Sequence, residues 1–106
     1  MRTLYRPQFY LDYENVLSYL AGAASAETAL RWEKALMDTL ALLARHPALG
    51  RRRLDLAPDG LRSLPLNEFG KYLVFYRWEE AEDVLEVFGV IHGAMNLPGI
   101  FGAGTS

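Results

Sequence analysis

Two stretches late in the chain, Lys71–Trp78 and Val84–Ile91, limit the fold more than anything else in the sequence. Both are dense in aromatic and β-branched residues, which suit a pleated surface. They are separated by Glu79-Glu80-Ala81-Glu82-Asp83, an acidic stretch that reads as a solvated turn. Together they predict a β-hairpin. Alternation along the first strand puts Leu73, Phe75 and Arg77 on one face and Tyr72, Val74, Tyr76 and Trp78 on the other. On the returning strand it groups Leu85, Val87, Gly89 and Ile91 against Val84, Glu86, Phe88, Val90 and His92. Both faces are mostly apolar. One must take helices, and the other must be covered by the tail or by another molecule, which makes it a candidate interaction surface.

The helices precede the hairpin. Leu4-Tyr5-Arg6 is a short β-prone piece that suits an edge strand, and Pro7 stops it and opens a helix. Phe9, Tyr13, Val16, Leu17 and Leu20 then recur at helical spacing until Gly22, with Asp12 and Glu14 near the start, where the helix dipole favours acids. Ser25 is an N-cap for a second helix with Glu27 in its first turn and the apolar stripe Ala29, Trp32, Leu36, Leu40 and Leu43. Arg45 and His46 fall in its last turn, where cations suit the dipole, and Pro47 closes it. The link between the helices is a few residues, so they form an antiparallel pair. Pro47 to Gly60 reads as a connection carrying Arg51-Arg52-Arg53 and the turn Pro58-Asp59-Gly60. Leu61–Leu66 is a further strand, with Pro65 marking an edge, a bulge or an early end, and Asn67–Gly70 is a turn. The expectation is an α+β fold of order β-α-α-β-β-β, a helix hairpin on a small, mainly antiparallel sheet. Residues 1–98 form its single domain and 99–106 a flexible Gly-rich tail.

Composition removes several classes of function. A chain of 106 residues supports one core. It has no cysteine, which excludes disulfides, thiolate zinc sites and cysteine nucleophiles. The two histidines are far apart and lack H-E-x-x-H spacing, and the tail glycines match no phosphate-binding fingerprint. No metal or cofactor is therefore expected. No apolar run reaches the roughly 18 residues of a membrane span, and no apolar signal core follows Met1. No membrane contact is expected, and the default location is the cytoplasm. The net charge of −2 argues against a surface that grips nucleic acid throughout, although Arg51–Arg53 is a local basic patch.

Four local patterns, in order, resemble the RelE/ParE superfamily of bacterial toxins. Leu43-Ala44-Arg45-His46-Pro47-Ala48-Leu49-Gly50 is similar to the family's helix exit "L…P..G". Gly60-Leu61-Arg62-Ser63-Leu64 is similar to its strand opening "G.R.L", and Tyr72-Leu73-Val74-Phe75-Tyr76-Arg77 to its "Y.i.Y/FR" strand. Val90-Ile91-His92-Gly93-Ala94 resembles the "v.HGARD" ending of ParE-like members, with Met95-Asn96 in place of Arg-Asp. The resemblance implies the toxin of a type II toxin–antitoxin system, of the plasmid-stabilising, growth-arresting kind. It implies a cognate ParD-like antitoxin and a toxin–antitoxin hetero-oligomer. In the ParE-like branch the target is DNA gyrase, inhibited by protein contact without a catalytic set. In the RelE-like branch the protein is a ribosome-dependent mRNA interferase, an endoribonuclease acting on ribosome-bound mRNA. The acidic net charge and the lack of a tyrosine after the last strand favour the ParE-like branch. A non-toxic interaction module of the same fold is the third reading.

Cleaving RNA through its 2′-hydroxyl requires a base, a cation for the phosphorane and an acid for the leaving oxygen. The candidates are His92 as base or acid, with Arg62 and Arg77 as phosphate clamps. Each has a structural alternative. His92 also suits a hydrogen-bonded strand end, and either arginine suits a pairing with Glu86. Arg51, Arg53, Arg62, Phe75 and Arg77 are the candidates for partner contact. His46 is read as structural and Trp32 as core.

Overall fold

The computed structural model describes residues 1–56 and 58–101. Strand β1 (Arg2–Tyr5) leads into helix α1 (Pro7–Ala23) and helix α2 (Ala26–Arg45). Four strands follow: β2 (Arg51–Arg52), β3 (Leu61–Pro65), β4 (Tyr72–Glu79) and β5 (Val84–His92). A short helix, α3 (Leu97–Ile100), comes last. The sheet order is β1-β5-β4-β3-β2. Among the described residues only β1 runs parallel to its neighbour, with Arg2 opposite Val84 and Tyr5 opposite Val87. The other pairings are antiparallel. This is the expected α+β architecture.

Local chemistry sets the helix ends. Pro7 opens α1, where its missing N–H costs nothing. Gly22 lies inside the last turn, and the Ala24 N–H closes the helix on the Leu20 carbonyl. No acid lies in the first turn of α1, so Asp12 is too far along to answer the dipole. Ser25 Oγ accepts the Thr28 N–H at 3.0 Å and caps α2.

The helix pair covers one sheet face. Trp32, Leu36 and Leu43 of α2 are fully buried there against Val74, Tyr76, Leu85 and Val87. Aromatic rings cross the whole layer. Tyr5 meets Phe9 at 4.9 Å, Phe9 meets Tyr13 and Tyr13 meets Trp32 at 6.3 Å, Trp32 meets Tyr72 at 5.8 Å, and Tyr72 meets His92 at 5.1 Å. Centroid spacings of this size add to plain burial. Tyr13 also donates a hydrogen bond to Glu33, tying α1 to α2.

The far face holds a second cluster of Leu56, Leu61, Phe75 and Ile91. The chain's own C-terminal segment covers it, with Leu97 and Phe101 packed on the cluster and the Phe101 ring 4.5 Å from Phe75. The expected boundary between Pro98 and Gly99 thus falls inside α3. Asn96 caps that helix through the Gly99 N–H, and Phe101 is held by apolar contact. The remaining tail positions, 102–106, lie outside the described residues.

Two further differences from expectation concern the sheet. Arg51–Arg52 is a strand, not part of a loop, pairing with Ser63 and Arg62 of β3. The hairpin also contains a β-bulge: Phe75 pairs with Gly89 and Tyr76 with Val87, which leaves Phe88 unpaired. The extra residue reverses the alternation of β5 midway. Leu85, Val87 and Val90 all belong to the helix-side core, whereas Phe88 and Ile91 pack on the far face. The bulge has a partner in α1. Asp12 Oδ2 accepts the Val90 N–H at 3.2 Å and occupies the space that a side chain at Gly89 would need.

Candidate functional site

The motif residues meet at the loop between α2 and β2. The Tyr76 hydroxyl donates to the Pro47 carbonyl at 2.8 Å and accepts the Gly50 N–H at 2.7 Å. From β3, Arg62 Nη1 donates to the carbonyls of Ala48 at 3.1 Å and Gly50 at 2.8 Å. A Cβ at Gly50 would lie 2.5 Å from the Tyr76 hydroxyl, so the close approach requires glycine. Burial raises the Tyr76 phenol above its ordinary range, so it stays protonated and keeps its donor. Three of the four sequence patterns are thus parts of one joint between the helix layer and the sheet.

Arg77 lies on the opposite face. It pairs with Glu86 Oε1 at 2.9 Å, and Arg6 pairs with Glu86 Oε2 at 3.1 Å. Both guanidiniums lie over the Phe88 ring, at 5.0 Å for Arg6 and 5.8 Å for Arg77. Arg53 is buried: it pairs with Asp55, donates to Ser63 Oγ at 3.2 Å and lies over Phe75. Its hydrogen bonds hold the Asp55 carboxyl below the usual range. Of the residues expected to contact a partner, Arg51 is exposed, Arg62 and Arg77 are partly exposed, and Arg53 and Phe75 are interior.

His92 ends β5. Its Nδ1 accepts the Ala94 N–H at 3.0 Å. His92 pairs across with Tyr72, five residues along β4 from Arg77, or roughly 17 Å at strand spacing. Arg62 faces the same side as Tyr76, its partner in the register, while Arg77 faces away. The three residues considered for RNA cleavage therefore do not converge. Among the described residues no group of three or more His, Asp or Glu side chains is placed to hold a metal ion.

The model of the "ParE toxin of type II toxin-antitoxin system, parDE" matches residues 4–97, from β1 to the start of α3. The chain belongs to the ParE toxin family. A solved chain titled "Chromosomal ParDE TA system from P. aeruginosa" is similar to this ParE-family toxin in fold. The TM-score is 0.71 at 15% identity, over 87% of this chain and 95% of that one. No curated protein sequence matches significantly. No helix among the described residues is long and apolar enough to cross a membrane.

One feature of this ParE-family toxin carries none of the expected site residues except His92. A cleft of about 390 Å³ opens between α1 and the end of the hairpin. Helix α1 contributes Asp12, Asn15, Val16 and Tyr19, four positions on one helical face. Tyr72, Val90 and His92 form the sheet side. Asp12 Oδ1 accepts from Gln8 at 2.9 Å while Oδ2 holds the bulge. Burial raises its carboxyl above the ordinary range, against the smaller opposing effect of these two bonds. In the sequence the one sign of this cleft is an acid set beside the apolar stripe Phe9, Tyr13, Val16, with a lone Gly89 inside a strand.

Proposed function

We propose that this chain is the toxin of a ParDE-type pair, that it arrests growth by gripping DNA gyrase through protein contact, and that a cognate antitoxin neutralises it in a hetero-oligomer. The observation that carries the reading is the family match across residues 4–97. Contact, not cleavage, fits the separation of Arg62, Arg77 and His92, each already engaged by a local partner. It also fits the outer surface of the helix pair. Tyr10, Leu11 and Tyr19 of α1 and Leu30 and Met37 of α2 are exposed apolar side chains, area that a partner segment can bury as it orders.

The test adds the purified chain to gyrase and relaxed plasmid. Dose-dependent loss of supercoiling, or accumulation of cleaved DNA, is the expected result, and the coexpressed neighbouring antitoxin gene restores growth. Intact supercoiling with transcripts cut at defined codons in a translation extract overturns the gyrase reading in favour of an mRNA interferase. Normal growth after induction of the chain alone overturns both.

A further inference from the structure

The cleft between α1 and the β4–β5 hairpin contains a carboxylate that lacks a countercharge. Most of the ordered acids with a close partner have a cation: Glu86 has Arg6 and Arg77, Asp55 has Arg53, Asp38 has Lys34, and Asp83 has the N-terminal ammonium. Asp12 forms no ion pair among the described residues, and no lysine or arginine lines the cleft. It is half-buried, and each of its oxygens accepts one neutral hydrogen bond. An ionised carboxylate offers about four acceptor positions, so acceptor capacity remains. Its raised pKa is the mark of a carboxylate removed from water without a compensating charge.

The walls suit one kind of occupant. Tyr19 is largely exposed on α1, and Tyr72 stands opposite on β4. Both tyrosines line the same cleft. Aromatic faces attract cations, and a planar guanidinium stacks on them and bridges a carboxylate in a way a compact, strongly hydrated ammonium does not. Val16, Ile91 and Met95 supply apolar lining for the methylene stem and the residues flanking it.

We propose that this cleft is a receptor for an arginine side chain presented by a partner polypeptide, with Asp12 as the countercharge and Tyr19 and Tyr72 as stacking walls. The proposal does not depend on gyrase being the target.

The test titrates acetyl-Leu-Arg-Leu-amide into the labelled full chain and follows backbone amide resonances. Saturable shifts at Asn15, Val90 and His92 are expected. The neutral isostere acetyl-Leu-citrulline-Leu-amide binds at least about fivefold more weakly, the scale of one partly buried ion pair. The lysine peptide, which keeps the charge but loses the planar stack, also binds more weakly than the arginine peptide. Asp12→Asn, which keeps the size and an acceptor for the Val90 N–H, weakens the arginine peptide by a similar factor. Tyr19→Ala, at an exposed position, does so independently, with circular dichroism confirming that both variants remain folded. Equal binding of the citrulline peptide, equal binding of the lysine peptide, shifts centred outside the cleft, or no effect of either substitution overturns the proposal.

Discussion

Replacing Tyr76 by phenylalanine removes one oxygen and leaves the buried ring in place. That oxygen is the donor to the Pro47 carbonyl and the acceptor for the Gly50 N–H. Both Gly50 and the Tyr76 side chain are buried, so water does not readily substitute. Leaving a buried donor unsatisfied costs roughly 1–3 kcal/mol, more than the net worth of an ordinary hydrogen bond. Arg62 still holds the Gly50 carbonyl, so the loop loosens without detaching. In a domain of this size the melting temperature falls by about 4–8 °C per kcal/mol. Urea unfolding should show a lower midpoint with an unchanged slope, and the Gly50 amide should exchange faster with solvent. Tyr10→Phe, an exposed tyrosine without a side-chain hydrogen bond among the described residues, is the control and should lie within about 0.5 kcal/mol of the parent. A Tyr76→Phe protein that melts with the parent, with Gly50 still protected, would refute the assignment of the joint to this hydroxyl.

Other substitutions test the bulge and the strand end. Gly89→Ala sets a methyl group against the Asp12 carboxylate and should destabilise by about 1–3 kcal/mol in thermal melts. The loss should shrink in an Asp12→Ala background, and a purely additive cycle would reject the clash. Burial raises the Asp12 carboxyl above its ordinary 3.8, so the native state binds that proton more tightly than the unfolded chain. Its stabilising contribution is complete below the unfolded value and is lost as pH rises through the folded one. Asp12→Asn should therefore be at least as stable as the parent near neutral pH, the difference vanishing below about pH 4. Urea melts across that range that show Asp12→Asn losing more than about 1 kcal/mol near neutrality would reverse this sign. His92→Asn keeps an acceptor for the Ala94 N–H and should retain growth arrest on induction. A loss of about 100-fold or more in potency would instead assign His92 acid–base chemistry.

The elements that could be read from sequence are those specified locally. Ser25 caps α2 through a residue three positions away, and the stripe from Ala29 to Leu43 repeats with the helix. The hairpin announced itself by β-branched and aromatic density. Strand β2 did not, because Arg51 and Arg52 form a strand only by pairing with β3, a contact made by the fold. Arg53 is buried while its neighbours are exposed, since Asp55, Ser63 and Phe75 surround it in space. The alternation expected along β5 ran unbroken through Gly89, although an isolated glycine within a strand pattern is a sign of a bulge. What could not be read was its partner, because Asp12 and Val90 stand at opposite ends of the chain. The same applies to Tyr76 and Arg62, whose motif membership was visible and whose shared grip on the Pro47–Gly50 loop was not.

The parallel pairing of β1 with β5 also governs when this protein can exist during its own synthesis. Its first strand stays without a neighbour until its last strand has emerged from the ribosome, because Arg2 is held opposite Val84 and Tyr5 opposite Val87. Helix α1 waits too, since Asp12 fastens to Val90. At about 5–20 residues per second, translation leaves the amino-terminal segment unfinished for on the order of ten seconds. Until then the nascent chain carries β1 and the helix-side aromatic surface without the strand that covers them in the finished fold.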